Sequence, residues 1–182
     1  MKKLLAALSL LLSANLANAA QISADITEQG NQYITIQGQI LEGDSKTFQK
    51  ILKENPRIKA VVLDSQGGLV YEGMVIAGIV HMERLDTLVL NNHVCFSICA
   101  PIFFSGNKKF IQKEATLGVH PAHDTKTMEK SAEVNAFIAW YFGRLGYDIG
   151  LVELWVSADP KSLNFITTEI NQKFNLGIIS ID

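Results

Sequence analysis

Residues 58–68 read IKAVVLDSQGG. An apolar run without an alternating polar face predicts a strand covered on both sides, the habit of parallel sheets. The run stops at Asp64, and SQGG separates it from LVYEGMVIAGIVHME, whose pattern predicts an amphipathic helix with His81 on its surface. Strand, glycine turn and helix form the unit from which α/β folds are built. Gly67 and Gly68 therefore sit at the carboxyl end of a parallel strand, where open α/β sheets keep their sites. Glycines there let the chain turn and leave backbone N–H groups near a helix start, an arrangement suited to an oxyanion hole. A nucleotide P-loop is excluded, because its lysine and its spacing are missing.

The same alternation extends in both directions. Residues 32–40 (QYITIQGQI) predict a strand. EGDSKTFQKILKEN predicts a helix with Asp44 or Ser45 as N-cap, an apolar face of Phe48, Ile51 and Leu52, and Pro56 ending it. DTLVLNN predicts another strand, and SICAPIFFSG a short buried helix with Pro101 near its start. KKFIQKEATLGVH suggests a short hairpin or paired strand segments. Residues 126–157 carry a helical pattern, with Val134, Phe137, Ile138 and Tyr141 at helical spacing and Trp140 and Trp155 expected in the core. NFITTEINQKFNLGIIS predicts a closing helix, a turn at Gly177 and a last strand. The class is α/β with a mostly parallel sheet, right-handed crossovers and a helical C-terminal third.

Residues 1–19 read MKKLLAALSLLLSANLANA: two lysines, a leucine-rich run, then Ala17-Asn18-Ala19. That order predicts a secretory signal peptide cleaved after Ala19. The expected domain plan is a leader over 1–19 and one domain over 20–182, with a periplasmic destination. A formal net charge of -2 and scattered lysines give no basic patch, so nucleic acid is not an expected partner. In an exported chain the two cysteines, Cys95 and Cys99, are read either as a disulfide or as two buried apolar side chains. Both readings disfavour a cysteine nucleophile, and CxxxC without a second ligand pair is a poor metal site.

The second strand end of interest is LVLNNHVCFSICA. Ser97 stands where an extended segment gives way to a helix, a place for an N-cap or for a nucleophile whose developing charge meets the Ile98 N–H. The flanking sequence is not the G-x-S-x-G elbow. A serine needs a base, and of the four histidines His120, at the end of ATLGV, is best placed. His93 lies in the incoming strand, and His123 follows Pro121-Ala122.

LDSQGG, CFSICA and LGVHPAH in this order resemble the ClpP/crotonase superfamily, in particular exported Clp-protease-like proteins. The resemblance runs from about residue 33 to residue 123 and returns in the closing helix and turn. It implies a fold of repeated ββα-type units and a serine peptidase. Ser97 would be the nucleophile, His120 the base, and the N–H groups of Gly67, Gly68 and Ile98 the oxyanion hole, with Gly68 at the family's donor position. The family's aspartate falls near SADPKSLNFIT, where Asp159 is the nearest acid; Asn164 and Asp124 are alternatives, and a Ser-His dyad is the remaining one. The resemblance also implies a peptide or protein substrate, a homo-oligomer and no cofactor. No ATPase partner is expected after export.

Two further readings compete with the serine hydrolase. One is a Ser-Lys peptidase, with Lys126 or Lys130 as base. The other is a catalytically inactive binding or scaffold protein of the cell envelope. Acyl-CoA chemistry fits an exported chain least well.

Overall fold

The computed structural model describes residues 19–182. The expected leader therefore lies, up to residue 18, outside the described residues. In chain order the elements are β1 (Gln21–Ile26), β2 (Gln32–Gln37), α1 (Asp44–Glu54), β3 (Ala60–Asp64), α2 (Val70–Met82), β4 (Asp86–Val89), β5 (Val94–Phe96), α3 (Cys99–Phe104), β6 (Lys109–Gln112), β7 (Thr116–Val119), α4 (Ala132–Arg144), α5 (Ile149–Ser157), β8 (Asn164–Phe165), α6 (Thr168–Lys173) and β9 (Ile178–Ile181).

Six strands form one sheet in the order β1-β2-β3-β4-β6-β9, and three form a second in the order β5-β7-β8. The large sheet is parallel from β2 to β9, with β1 antiparallel at its edge. Val61, Val62 and Leu63 are all buried, so the apolar run of β3 is indeed covered on both faces. In β2 only Ile34 and Ile36 are fully buried, which fits its alternating pattern. The two sheets meet where Ser65, just past β3, bridges Cys95 in β5.

The expected hairpin over KKFIQKEATLGVH does not form. β6 pairs with β4 and β9 in the large sheet, whereas β7 pairs with β5 and β8 in the small one. The turn between them carries the chain from one sheet to the other. The helical stretch expected over 126–157 is two helices, with Ser131 capping α4 through the Val134 N–H and Gly146, at φ 84°, breaking the chain before α5.

Helix α2 is more deeply buried than an amphipathic reading implies. Seven of its residues are buried, Glu72 among them. Glu72 Oε2 accepts the Ser45 N–H at 2.8 Å, so a carboxylate from α2 caps the first turn of α1. The hydrogen bond from the Ser45 side chain, partly opposed by burial, holds the Glu72 carboxyl below its usual range. The expected cap at Asp44 or Ser45 moves to Gly43. Asp44 instead turns back, its Oδ2 accepting the N–H groups of Leu41 at 2.7 Å and Ala20 at 3.3 Å.

Trp155 is in the core, only 2% exposed. Trp140 is not: it is 59% exposed and stacks on Phe137, itself 46% exposed, with ring centroids 5.7 Å apart. Helical spacing placed both rings beside the core residues of α4, and the helix turns them outward.

Asn135 holds α4 to the segment after β7. Its Oδ1 accepts from Ala122 N and Trp155 Nε1, both at 2.8 Å. Its Nδ2 donates to Ala122 O at 2.8 Å and Ser131 O at 2.7 Å. Buried polar groups stripped of a partner cost about 1–3 kcal/mol each. Asn135→Leu, which orphans several at once, is expected to lower unfolding free energy by about 2–4 kcal/mol in urea titrations; an unchanged midpoint would show that the amide is dispensable.

Candidate active site

Three segments converge on Ser97. Beside β3, Ser65 N donates to Val94 O at 2.7 Å and Phe96 N to Ser65 O at 2.9 Å. Asp64 Oδ1 accepts the Val94 N–H at 3.1 Å. On the other side β5 runs parallel to β7, and Ser97 N donates to Gly118 O at 3.1 Å. Ser97 itself has φ 55°, a left-handed conformation uncommon outside glycine. Such a kink turns a side chain out of the strand-to-helix path, and partly exposed serines at sharp turns of this kind recur at active sites. Helix α3 starts two residues later, at Cys99, so Ser97 is a turn residue and not the N-cap.

The glycine turn lies directly against this serine. A Cβ on Gly67 would sit 2.7 Å from Ser97 Cβ, 2.8 Å from Phe96 O and 3.2 Å from Ile98 N. No residue with a side chain fits that approach, and φ 95° at Gly67 independently favours glycine. Gly68, at φ 148°, is pressed onto Ile40, whose carbonyl oxygen a Cβ would overlap. Ladder bonds from Ile40 N to Gly67 O and from Leu69 N to Ile40 O, both 2.8 Å, fix the turn in place.

These contacts sort the expected oxyanion donors. The Gly67 N–H is already spent on Ser65 Oγ at 3.1 Å, and that hydroxyl donates in turn to Gly38 O at 2.6 Å. Gly67 is thus a spacer, and the expectation that it is a donor is corrected. Among the described residues the N–H groups of Gly68 and Ile98 have no protein acceptor. Ser65 was missed at the sequence level; a polar residue directly after a buried strand was the available signal.

Cys95 and Cys99 are joined in a disulfide, with Cα atoms 5.2 Å apart and both residues fully buried. Cys95 lies in extended chain and only Cys99 on a helix, which allows closure over so short a span. The bridge encloses Ser97, and a disulfide sulfur has no thiolate with which to attack.

His120 follows β7 directly, two residues beyond the Gly118 carbonyl that holds Ser97. Its Nδ1 is buried without a hydrogen-bond partner. Burial, and then the neighbouring His123, push its pKa below the ordinary 6.5. Among the described residues no acid is hydrogen-bonded to this ring. Asp159 is exposed, its Oδ1 accepting Lys161 N at 2.8 Å within its own turn. Asn164 is paired with Val119, next to the histidine, but its amide donates to Leu154 O at 2.8 Å and Ser157 Oγ at 3.0 Å. Asp124 accepts the N–H groups of Lys126 and Thr127, both at 2.8 Å. All three expected candidates are engaged elsewhere. Lys126 is exposed, and Lys130 Nζ donates to Val156 O at 2.8 Å.

No protein-family model matches the chain, and no curated protein matches it in sequence. Solved structures do match in shape. The ClpP protease catalytic domain from Plasmodium falciparum superposes with a TM-score of 0.60 at 14% identity, over 81% of this chain and 83% of that one. A 1510-N membrane protease specific for a stomatin homolog from Pyrococcus horikoshii gives 0.58 at 15% identity, over 81% and 71%. An enoyl-CoA hydratase/isomerase family member gives 0.56 at 10% identity, over 89% and 71%. The fold is that of the ClpP/crotonase superfamily. At these identities the likeness is one of architecture alone.

Two outcomes follow from the geometry of this site. Gly67→Ala is expected to destabilise the protein by about 1–3 kcal/mol in urea unfolding, through strain at positive φ and collision with Ser97; a wild-type midpoint would contradict the packing. The depressed His120 pKa sets a pH dependence. Between the folded value and 6.5 the unfolded chain binds more protons than the folded one. Stability is therefore lost as pH falls through 6.5 toward the folded value, and levels off below it. His120→Gln should flatten this part of the profile, measured as urea midpoint against pH.

Proposed function

We propose that this chain is a serine hydrolase of peptidase type, working with a Ser97–His120 pair. The observation that carries the reading is the left-handed turn at Ser97, closed by side-chain-free Gly67, with two unclaimed N–H groups at Gly68 and Ile98. Ser97 Oγ attacks the substrate carbonyl carbon while its proton passes to His120. The carbonyl π pair moves onto oxygen, and the Gly68 and Ile98 N–H groups hold the oxyanion. The oxyanion collapses, the amide C–N bond breaks, and His120 returns the proton to the leaving amine. Water then repeats the sequence on the acyl-serine, with His120 again taking and returning the proton. His120, kept below its ordinary pKa, stays neutral and able to accept to a lower pH than an unperturbed histidine would.

Export to the periplasm is part of the proposal. It is supported by the leader-like sequence of residues 1–19 and by the disulfide around Ser97, which suits an oxidising compartment. So is assembly into a homo-oligomer, supported by the exposed Phe137–Trp140 pair on α4. The substrate proposed is a peptide or protein. A binding role without turnover is the second reading, favoured by the missing acid at His120.

A fluorophosphonate probe separates the two readings. The folded mature chain is expected to label at Ser97, and Ser97→Ala to abolish labelling. His120→Ala should slow it by about three orders of magnitude. A folded wild-type chain that does not label, alongside retained peptide binding by Ser97→Ala, would establish the binding role instead.

A further inference from the structure

We infer that His123 is the positioning residue for His120, its Nε2 accepting the His120 Nδ1–H in place of an acid. The inference rests on the reading of Ser97 and His120 as nucleophile and base. For Nε2 of His120 to take the serine proton, Nδ1 must carry the other one, and that N–H needs an acceptor. In the structure Nδ1 is buried and makes no hydrogen bond; the Pro121 carbonyl lies near enough to favour the charged ring weakly but does not bond Nδ1. Asp159 and Asp124 are occupied in their own turns, and the Asn164 amide is held by its N–H groups to Leu154 and Ser157 of α5.

His123 is prepared for the task. Its Nδ1 lies 3.0 Å from Pro121 O. A carbonyl oxygen only accepts, so Nδ1 carries the proton and Nε2 of the neutral ring is left as an acceptor. The main chain thereby sets the tautomer. The two ring centroids are 5.2 Å apart. Two imidazoles joined in line by an N–H···N bond of about 2.9 Å have centroids about 5 Å apart, so the separation is already right. What is missing is alignment: the rings are tilted by 47°. Rotation of the His120 ring about χ2, a broad torsion in histidine, supplies that without moving the backbone or the His123 bond to Pro121. The backbone between the two histidines is itself held, because both polar groups of Ala122 bond to Asn135.

The next residue supports the charge that would form. Asp124 is an ionised carboxylate, kept so by the N–H groups of Thr127 and Lys126 and, to a lesser degree, by His123 itself. A proton shared between the two imidazoles would therefore lie beside a fixed negative charge. A neutral imidazole stabilises the His120 cation less than an aspartate does, so the arrangement implies a slower nucleophile than a full Ser-His-Asp triad.

The test is the rate of fluorophosphonate labelling across pH, on the folded, disulfide-bonded chain. His123→Phe keeps a ring and removes the acceptor; it is expected to slow labelling about tenfold to a hundredfold. His123→Asp restores an acceptor and should recover most of that rate. The midpoint of the acid limb should be higher in His123→Asp than in wild type, since a carboxylate beside His120 favours its cation more than an imidazole does. A purely structural role would move no midpoint. Wild-type labelling by His123→Phe, with Ser97→Ala unlabelled and His120→Ala slowed, overturns the inference and leaves the hydrolase standing. Equal slowing in both His123 variants with an unmoved acid limb overturns it as well. Absence of labelling in the wild type removes the hydrolase reading and this inference with it.

Discussion

The closeness of two backbones, at Gly67 and Ser97, is the constraint from which the site follows. A missing side chain lets the turn after β3 rest on the turn after β5, at a distance no Cβ tolerates. That contact brings Gly68 and Ile98 to the same place, and it leaves Ser97 facing out from a left-handed kink. The hydroxyl of Ser65 completes the arrangement by absorbing the N–H of Gly67. The free donors are thus selected by which amide has already found a partner, as expected where buried backbone groups are almost always paired.

Much of this was legible in the sequence because it is written in local pattern. The run AVVL is apolar on both faces and, closed by Asp64 and a glycine turn, fits an interior strand. GG after a strand and before a helix is a turn whatever surrounds it. Other features depend on distant partners. β1 was not read at all, since QISADI at a sheet edge carries little burial contrast. KFIQ and TLGV look like neighbours in a hairpin, and nothing within them says that they enter different sheets. Phe137 and Trp140 share the helical spacing of α4 with buried residues, but what covers a helix face is decided by other segments.

The same division holds at the site. Ser97, His120 and the glycine pair were visible as residue types at strand ends. The orientation of His120 was not, because what surrounds a ring at a strand end is decided by segments distant in sequence, β8 beside Val119 among them. Proximity in sequence to a family aspartate made Asp159 attractive, yet a carboxylate at the start of a tight turn bonds its own backbone first. Conversely, the pairing of Cys95 with Cys99 hinged on where strand gave way to helix, a boundary that sequence patterns place poorly.

Asn135 has a role beyond holding two segments together. It rides on α4 about one turn from the stacked, solvent-facing Phe137 and Trp140. It also clamps Ala122, between the two imidazoles. The helix that presents these two exposed rings therefore also fixes, through a single amide, the main chain that carries both histidines.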